Sequence, residues 1–145
     1  MRGDLVYLVQ TDTTVGFLSQ SAERLRALKA RPSRKPFLTA LPALREIERV
    51  GRVPKAHRKC VRRARKTSFI LPNGRSFRVV TGPHKAFVGK FGWCFTTSAN
   101  RHGEPFDEAY ARTVCDVVVE SREGFSETSP SAIWRLGRRR KVKIR

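Results

Sequence analysis

The chain has few of the residues that staple or anchor small proteins. Its three cysteines, Cys60, Cys94 and Cys115, are an odd number set far apart, which excludes a paired disulfide framework or a zinc site built on paired ligands. His57 and Cys60 have a possible ligand spacing, but no second pair accompanies them, so no metal site is expected. The N-terminus offers only Leu5-Val6-Tyr7-Leu8-Val9 as an apolar run, too short for a secretory segment or a membrane span. A reducing cytoplasm is the expected location, with no membrane contact. There is no internal repeat and no long low-complexity tract.

Carboxylates are scarce too: 12 Asp and Glu face 31 Lys and Arg, a formal charge of +19. That excess exceeds what solubility requires and points to a polyanionic partner, with nucleic acid the natural candidate. The 145 residues fit one domain, 1–145, with a single core.

Leu5–Gln10 reads as a buried strand feeding a Thr/Asp loop, and Ser19–Lys29 as a helix capped by Ser19 or Ser21. Pro36–Ala40 reads as a strand, Leu41–Val50 as a helix, and Pro54–Lys66 as a basic, mostly solvated helix. Asn73-Gly74 between Ser68–Leu71 and Phe77–Val80 signals a hairpin. Further on, His84–Phe91 and Pro105–Val114 read as helices; Cys94–Thr97, Asp116–Glu120, Ser131–Leu136 and Lys141–Ile144 read as strands. The mixture predicts an α/β fold, a twisted mixed sheet with antiparallel pairs flanked by helices.

Three stretches could hold a nucleotide-like anion. Lys29 and Arg31 at a helix end, with Lys35 close behind, could clamp a triphosphate, although in so basic a chain such residues by themselves more often form a solvated surface. Thr11, Thr13 and Thr14 offer hydroxyls past a strand end, or form an ordinary turn in which Asp12 bonds its own backbone. Ser98 and Asn100 could bond a ribose or phosphate, or make an Asx-type turn. His102 falls on the same loop, while Trp93 and Trp134 sit in apolar strand contexts and read as core.

Taken together, these stretches resemble a known family. Gln10-Thr11-Asp12-Thr13-Thr14-Val15-Gly16-Phe17 is similar to a Pro-Thr-Asp/Glu-Thr-x-Tyr-Gly-Leu segment, and Lys29-Ala30-Arg31-Pro32 with Lys35-Pro36 to a Lys-x-Arg motif. Thr97-Ser98-Ala99-Asn100 with Gly103 and Pro105 resembles Ser-Ala-Asn-x-Ser-Gly-x-Pro, and Pro130-Ser131-Ala132-Ile133 resembles Ser-Thr-Ile-Val. The family is the YrdC-like threonylcarbamoyl-AMP synthases, and the four motifs occur in its order. The resemblance implies a YrdC-like fold and a nucleotidyltransferase that joins threonine, bicarbonate and ATP, with magnesium accompanying the ATP, for threonylcarbamoyladenosine modification of tRNA.

By motif position, the resemblance implies Lys29 and Arg31 as the catalytic cations. Lys35, Ser68, Ser98, Asn100 and Arg145 would bind ATP; Thr11, Thr13, Thr96 and Ser131 would bind threonine, and Arg78 would be a further pocket residue. The chemistry would be positioning and charge stabilisation, with no covalent residue. The chain departs from the family at Val15, Ala40, Ala64-Arg65-Lys66, His102 and Ala132. The expected partners are tRNA or double-stranded RNA and the proteins of tRNA modification. An alternative reading keeps the fold and assigns the work to RNA binding by the basic segments 54–66 and 138–145.

Overall fold

Short β-branched and aromatic runs broken by polar turns give many brief strands. The computed structural model describes residues 2–30 and 35–145. Its strands are β1 Tyr7–Gln10, β2 Val15–Ser19, β3 Leu38–Leu41, β4 Thr67–Ile70, β5 Ser76–Val79, β6 Cys94–Ser98, β7 Val117–Val118, β8 Ala132–Leu136 and β9 Lys141–Lys143. They form one mixed sheet of order β7-β1-β2-β6-β3-β5-β4-β8-β9. Three neighbouring pairs, β1 with β7, β3 with β5 and β4 with β8, run parallel; the others are antiparallel. The helices are α1 Ala22–Lys29, α2 Arg58–Arg63, α3 Gly82–Gly89 and α4 Glu108–Val114. This is the expected α/β architecture. Among the described residues, no helix is long and apolar enough to cross a membrane.

Three local expectations are corrected. Val15–Ser19 is a strand, pairing with β1 and β6. All five of its residues are buried, so the two-residue alternation that marks a half-exposed strand is missing. Helix α1 therefore starts later, with Ser21 Oγ accepting the Arg24 N–H at 3.3 Å. The chain from Leu41 to Val50 does not form an α-helix: Leu41 still belongs to β3, Pro42 can donate nothing to continue the ladder, and Leu44–Arg49 closes as a 3-10 turn. The basic stretch is a 3-10 turn at Lys55–His57 followed by α2, and Ala64 is already extended on the way into β4. The hairpin is where expected, Phe69 opposite Phe77 and Ile70 opposite Ser76. Gly74 takes a φ of +84° at its tip, a conformation that costs glycine little.

Strand alternation sends Leu8, Phe17 and Phe37 toward α1 and α4, where they pack with Leu25 and Ala111. The opposite face packs Tyr7, Val9, Leu18, Ala40 and Cys94 against Phe87 and Val88 of α3. A third cluster, around Leu41, Val61, Phe69, Phe77 and Leu136, fastens α2 and the 3-10 turns to the sheet. On the α3 face, beyond that helix, Leu38, Ser68, Arg78, Thr96 and Ile133 line a cavity.

Candidate functional site

The cavity measures about 840 Å³, enough for a nucleotide and a small co-substrate. Nine of the residues given a binding role by motif position line it: Thr11, Thr13, Lys35, Ser68, Arg78, Thr96, Ser98, Ser131 and Arg145, and Thr14 lies with them. They come from distant parts of the chain because β2, β6, β3, β5, β4 and β8 lie side by side. Lys29 and Asn100 are outside the lining, and Arg31 falls outside the described residues.

The Thr11–Thr14 turn is closed by one hydroxyl. Thr11 Oγ1 accepts the backbone N–H groups of Thr13 at 3.2 Å and Thr14 at 3.1 Å, and donates to the Thr14 carbonyl. Gly16 lets this turn lie against β6. A Cβ there would come within 3.0 Å of Thr11 Cγ2 and 3.2 Å of the Thr97 carbonyl.

The floor is one connected polar chain. Ser68 Oγ and Ser131 Oγ are 2.9 Å apart; Arg78 Nη1 donates to Ser68 at 3.5 Å, and Arg145 donates from Nε to the Ser131 carbonyl at 3.0 Å and from Nη2 to its hydroxyl at 3.4 Å. Two guanidinium groups thus bracket two serine hydroxyls, an arrangement suited to an incoming carboxylate or phosphate. Arg78 Nε is buried without a partner.

Behind Arg78 sit two residues whose roles sequence reasoning missed, Asp12 and His84. Arg78 Nη2 is 3.2 Å from Asp12 Oδ1, and His84 Nδ1 is 3.3 Å from the same oxygen and from the Asp12 N–H. All three side chains are at most 6% exposed. Burial pushes the Asp12 carboxyl up, but the His84 hydrogen bond and the Arg78 charge outweigh it and hold it below the ordinary carboxylate value. Burial likewise holds His84 below its ordinary value despite Asp12, so the ring is neutral near pH 7, and the hydrogen bond that holds the carboxylate is donated by Nδ1–H to Asp12 Oδ1. Burial lowers Arg78, against the pull of Asp12. A guanidinium starts so high that it stays charged. The missed signal was Asp12 itself, a carboxylate inside a basic chain's Thr-rich loop.

Lys29 donates to the Ser98 carbonyl at 3.0 Å and to the Asn100 carbonyl, tying the end of α1 to the loop after β6. The Asn100 amide donates to the Glu104 carbonyl at 2.7 Å and the Arg101 carbonyl at 3.1 Å, the local turn that its sequence allowed. Of the departures, Ala40 and Val15 are fully enclosed core residues, and Ala132 falls between the lining residues Ser131 and Ile133. The Cys94 thiol is pushed up to about 12 by burial, which leaves it inert as a nucleophile. The described lining has no carboxylate, and no group of three His, Cys, Asp or Glu among the described residues could hold a metal. These residues do not fit a resident magnesium ion.

No family model matches the chain, and no curated protein does. Solved structures do. Sua5 of P. abyssi superposes with a TM-score of 0.81 at 16% identity, over 97% of this chain and 52% of that one; the same protein complexed with L-threonine gives 0.80 at 15%, over 97% and 50%. YciO of E. coli gives 0.78 at 17%, over 98% and 82%, and the MTH1692 protein of Methanobacterium thermoautotrophicum 0.72 at 21%, over 99% and 80%. The chain spans about half the length of Sua5. It has the Sua5/YrdC fold.

Proposed function

We propose that this chain, folded as Sua5 and YciO are, is an L-threonylcarbamoyladenylate synthase. The observation that carries the reading is the cavity floor: two hydroxyls between the guanidinium groups of Arg78 and Arg145, beside a threonine-lined turn. Support also comes from the L-threonine bound to a protein of the same fold. Threonine would enter with its carboxylate toward Arg78 and its other polar groups toward Thr11, Thr13, Thr96 and Ser131. Its amine and bicarbonate condense to a carbamate with loss of water. A carbamate oxygen then attacks the α-phosphorus of ATP, and pyrophosphate leaves. Arg145, Lys35, Ser68 and Ser98 would hold the nucleotide, and Arg31 would be a catalytic cation as its motif position implies; Lys29 and Asn100 would act by fixing the Ser98 loop. Catalysis needs orientation and preorganised charge, which an anchored guanidinium supplies without reorganising.

The test is pyrophosphate release from ATP, bicarbonate and magnesium, with threonine, with serine and with no amino acid. Threonine-dependent release that Arg145→Gln reduces about 100-fold or more is the expected result. Release independent of the amino acid would overturn it.

A separate observation favours an RNA partner. Every Lys and Arg from 55 to 66 and from 135 to 145 is exposed, and neither segment contains a carboxylate. The fold joins them: a His57 ring nitrogen meets the Gly137 carbonyl at 3.0 Å, Lys141 Nζ meets Cys60 Sγ at 3.4 Å, and β4 runs beside β8. Arg135 and Arg140 carry this cationic face into the cavity lining that Arg145 shares. We assign it to the phosphate backbone of tRNA or double-stranded RNA.

A further inference from the structure

A second cleft, about 420 Å³, lies on the other side of the sheet. Leu38 and Thr96 line the cavity described above; their chain neighbours Phe37, Thr39 and Phe95 line this one. The two share only Pro36 among their described lining residues. Three cations and three rings converge here: Arg26 from α1, Arg49 at the end of the 3-10 turn, Arg75 from the hairpin, and Phe37, Trp93 and Phe95.

Two observations set this cleft apart from an ordinary groove. Arg26 Nε is buried and has no acceptor, although its guanidinium lies 5.9 Å from the centre of the Phe37 ring. A buried charged donor without an acceptor is costly unless something else meets it. The cations are also weakly neutralised. Arg49 has only Glu46 at 4.0 Å, and among the described residues Arg26 and Arg75 form no ion pair. Trp93 and Phe95 meet edge to face at 5.0 Å and are both half-exposed, so ring surface stays open. An aliphatic ligand would leave the three cations unused, and inorganic phosphate would leave the rings unused.

We propose that this cleft binds a nucleoside monophosphate unit, its base against Trp93 and Phe95 and its phosphate on Arg26 and Arg75. Base stacking on aromatic side chains and arginine contact with phosphate are the two interactions such a unit offers. The unit is a free nucleotide or one residue of a single RNA strand, and the site is independent of the synthase reading.

The test uses the full chain carrying Trp134→Phe, so that Trp93 is the only tryptophan. UMP, uridine, inorganic phosphate and a uridine tetranucleotide are titrated against its fluorescence. The expected result is saturable quenching by UMP, at least tenfold weaker with uridine and absent with phosphate. Arg26→Gln and Arg75→Gln should each weaken UMP at least fivefold, while Lys35→Gln in the other cavity leaves it unchanged. Arg75 is exposed on the hairpin, so its variant carries the test if Arg26→Gln misfolds. A tetranucleotide affinity more than tenfold above that of UMP identifies an RNA strand as the source; equal affinities identify the free nucleotide. Absence of quenching, or quenching abolished by Lys35→Gln and untouched by both arginine variants, overturns the proposal.

Discussion

In the cavity floor, Arg78 has a carboxylate on one side, a serine hydroxyl on the other and a histidine holding the carboxylate in turn. On the cationic face, by contrast, no Lys or Arg from 55 to 66 or from 135 to 143 has an ion-pair partner among the described residues. The floor holds one charge in a fixed place, so a ligand must fit it. The face holds many charges on mobile stems, so phosphates at varied spacing can be met. A small ligand of defined shape suits the first, a polyanion the second.

Removing charge from each region tests that contrast, and the largest effect is expected at Arg78. Arg78→Gln leaves the Asp12 carboxylate buried without its cation, a change that costs about 3–5 kcal/mol in comparable sites and should abolish threonine-dependent pyrophosphate release. Urea unfolding gives the stability. Asp12→Asn together with Arg78→Gln should regain much of it and none of the turnover. Wild-type stability in the single variant would mean that the floor is no more fixed than the face.

The next effect belongs to the face. Replacing Arg62, Arg63 and Arg139 together with Gln should leave stability within about 0.5 kcal/mol per site and leave pyrophosphate release unchanged. Its affinity for duplex RNA should fall, and the slope of log affinity against log salt should become shallower by about 0.9 for each phosphate no longer neutralised. An unchanged slope would move the RNA-binding surface elsewhere.

The two regions also differed in how far the sequence announced them. The cationic face was legible as residues 54–66 and 138–145, because long charged side chains stay solvated whatever the fold; only their junction through His57 and Gly137 needed the structure. The Asn73-Gly74 hairpin was legible because turn chemistry is local. At the site, motif spacing named nine lining residues without showing what binds what. Arg78 and Asp12 are 66 positions apart in sequence, and only the parallel pairing of β3 with β5, inside a sheet that also contains β1 and β2, brings them together. Val15–Ser19 was missed because burial on both faces removes the alternation on which strand reading depends. Lys29 and Asn100 were named for a ligand, yet their hydrogen bonds go to carbonyls.

The smallest effect tests whether the floor is fixed through His84 as well as through Arg78. The His84 ring sits below its ordinary value of 6.5, so between that value and its folded one the unfolded chain binds the extra proton. Stability therefore falls as pH drops below 6.5 and levels off once the folded ring is also protonated. Asp12 is depressed from 3.8, so its contribution is present above that value and disappears at more acid pH, as the folded carboxyl takes its proton. In His84→Asn, the Asn amide can still donate to Asp12 Oδ1 but cannot titrate. Urea unfolding at a series of pH values should show the upper step vanish while the lower acid limb remains. A persistent upper step would assign it to another group and leave Asp12 and Arg78 as the whole of the buried support. If it vanishes, and the KM for threonine rises toward acid pH in the unmodified chain but not in the variant, protonation of His84 weakens threonine binding through Asp12 and Arg78.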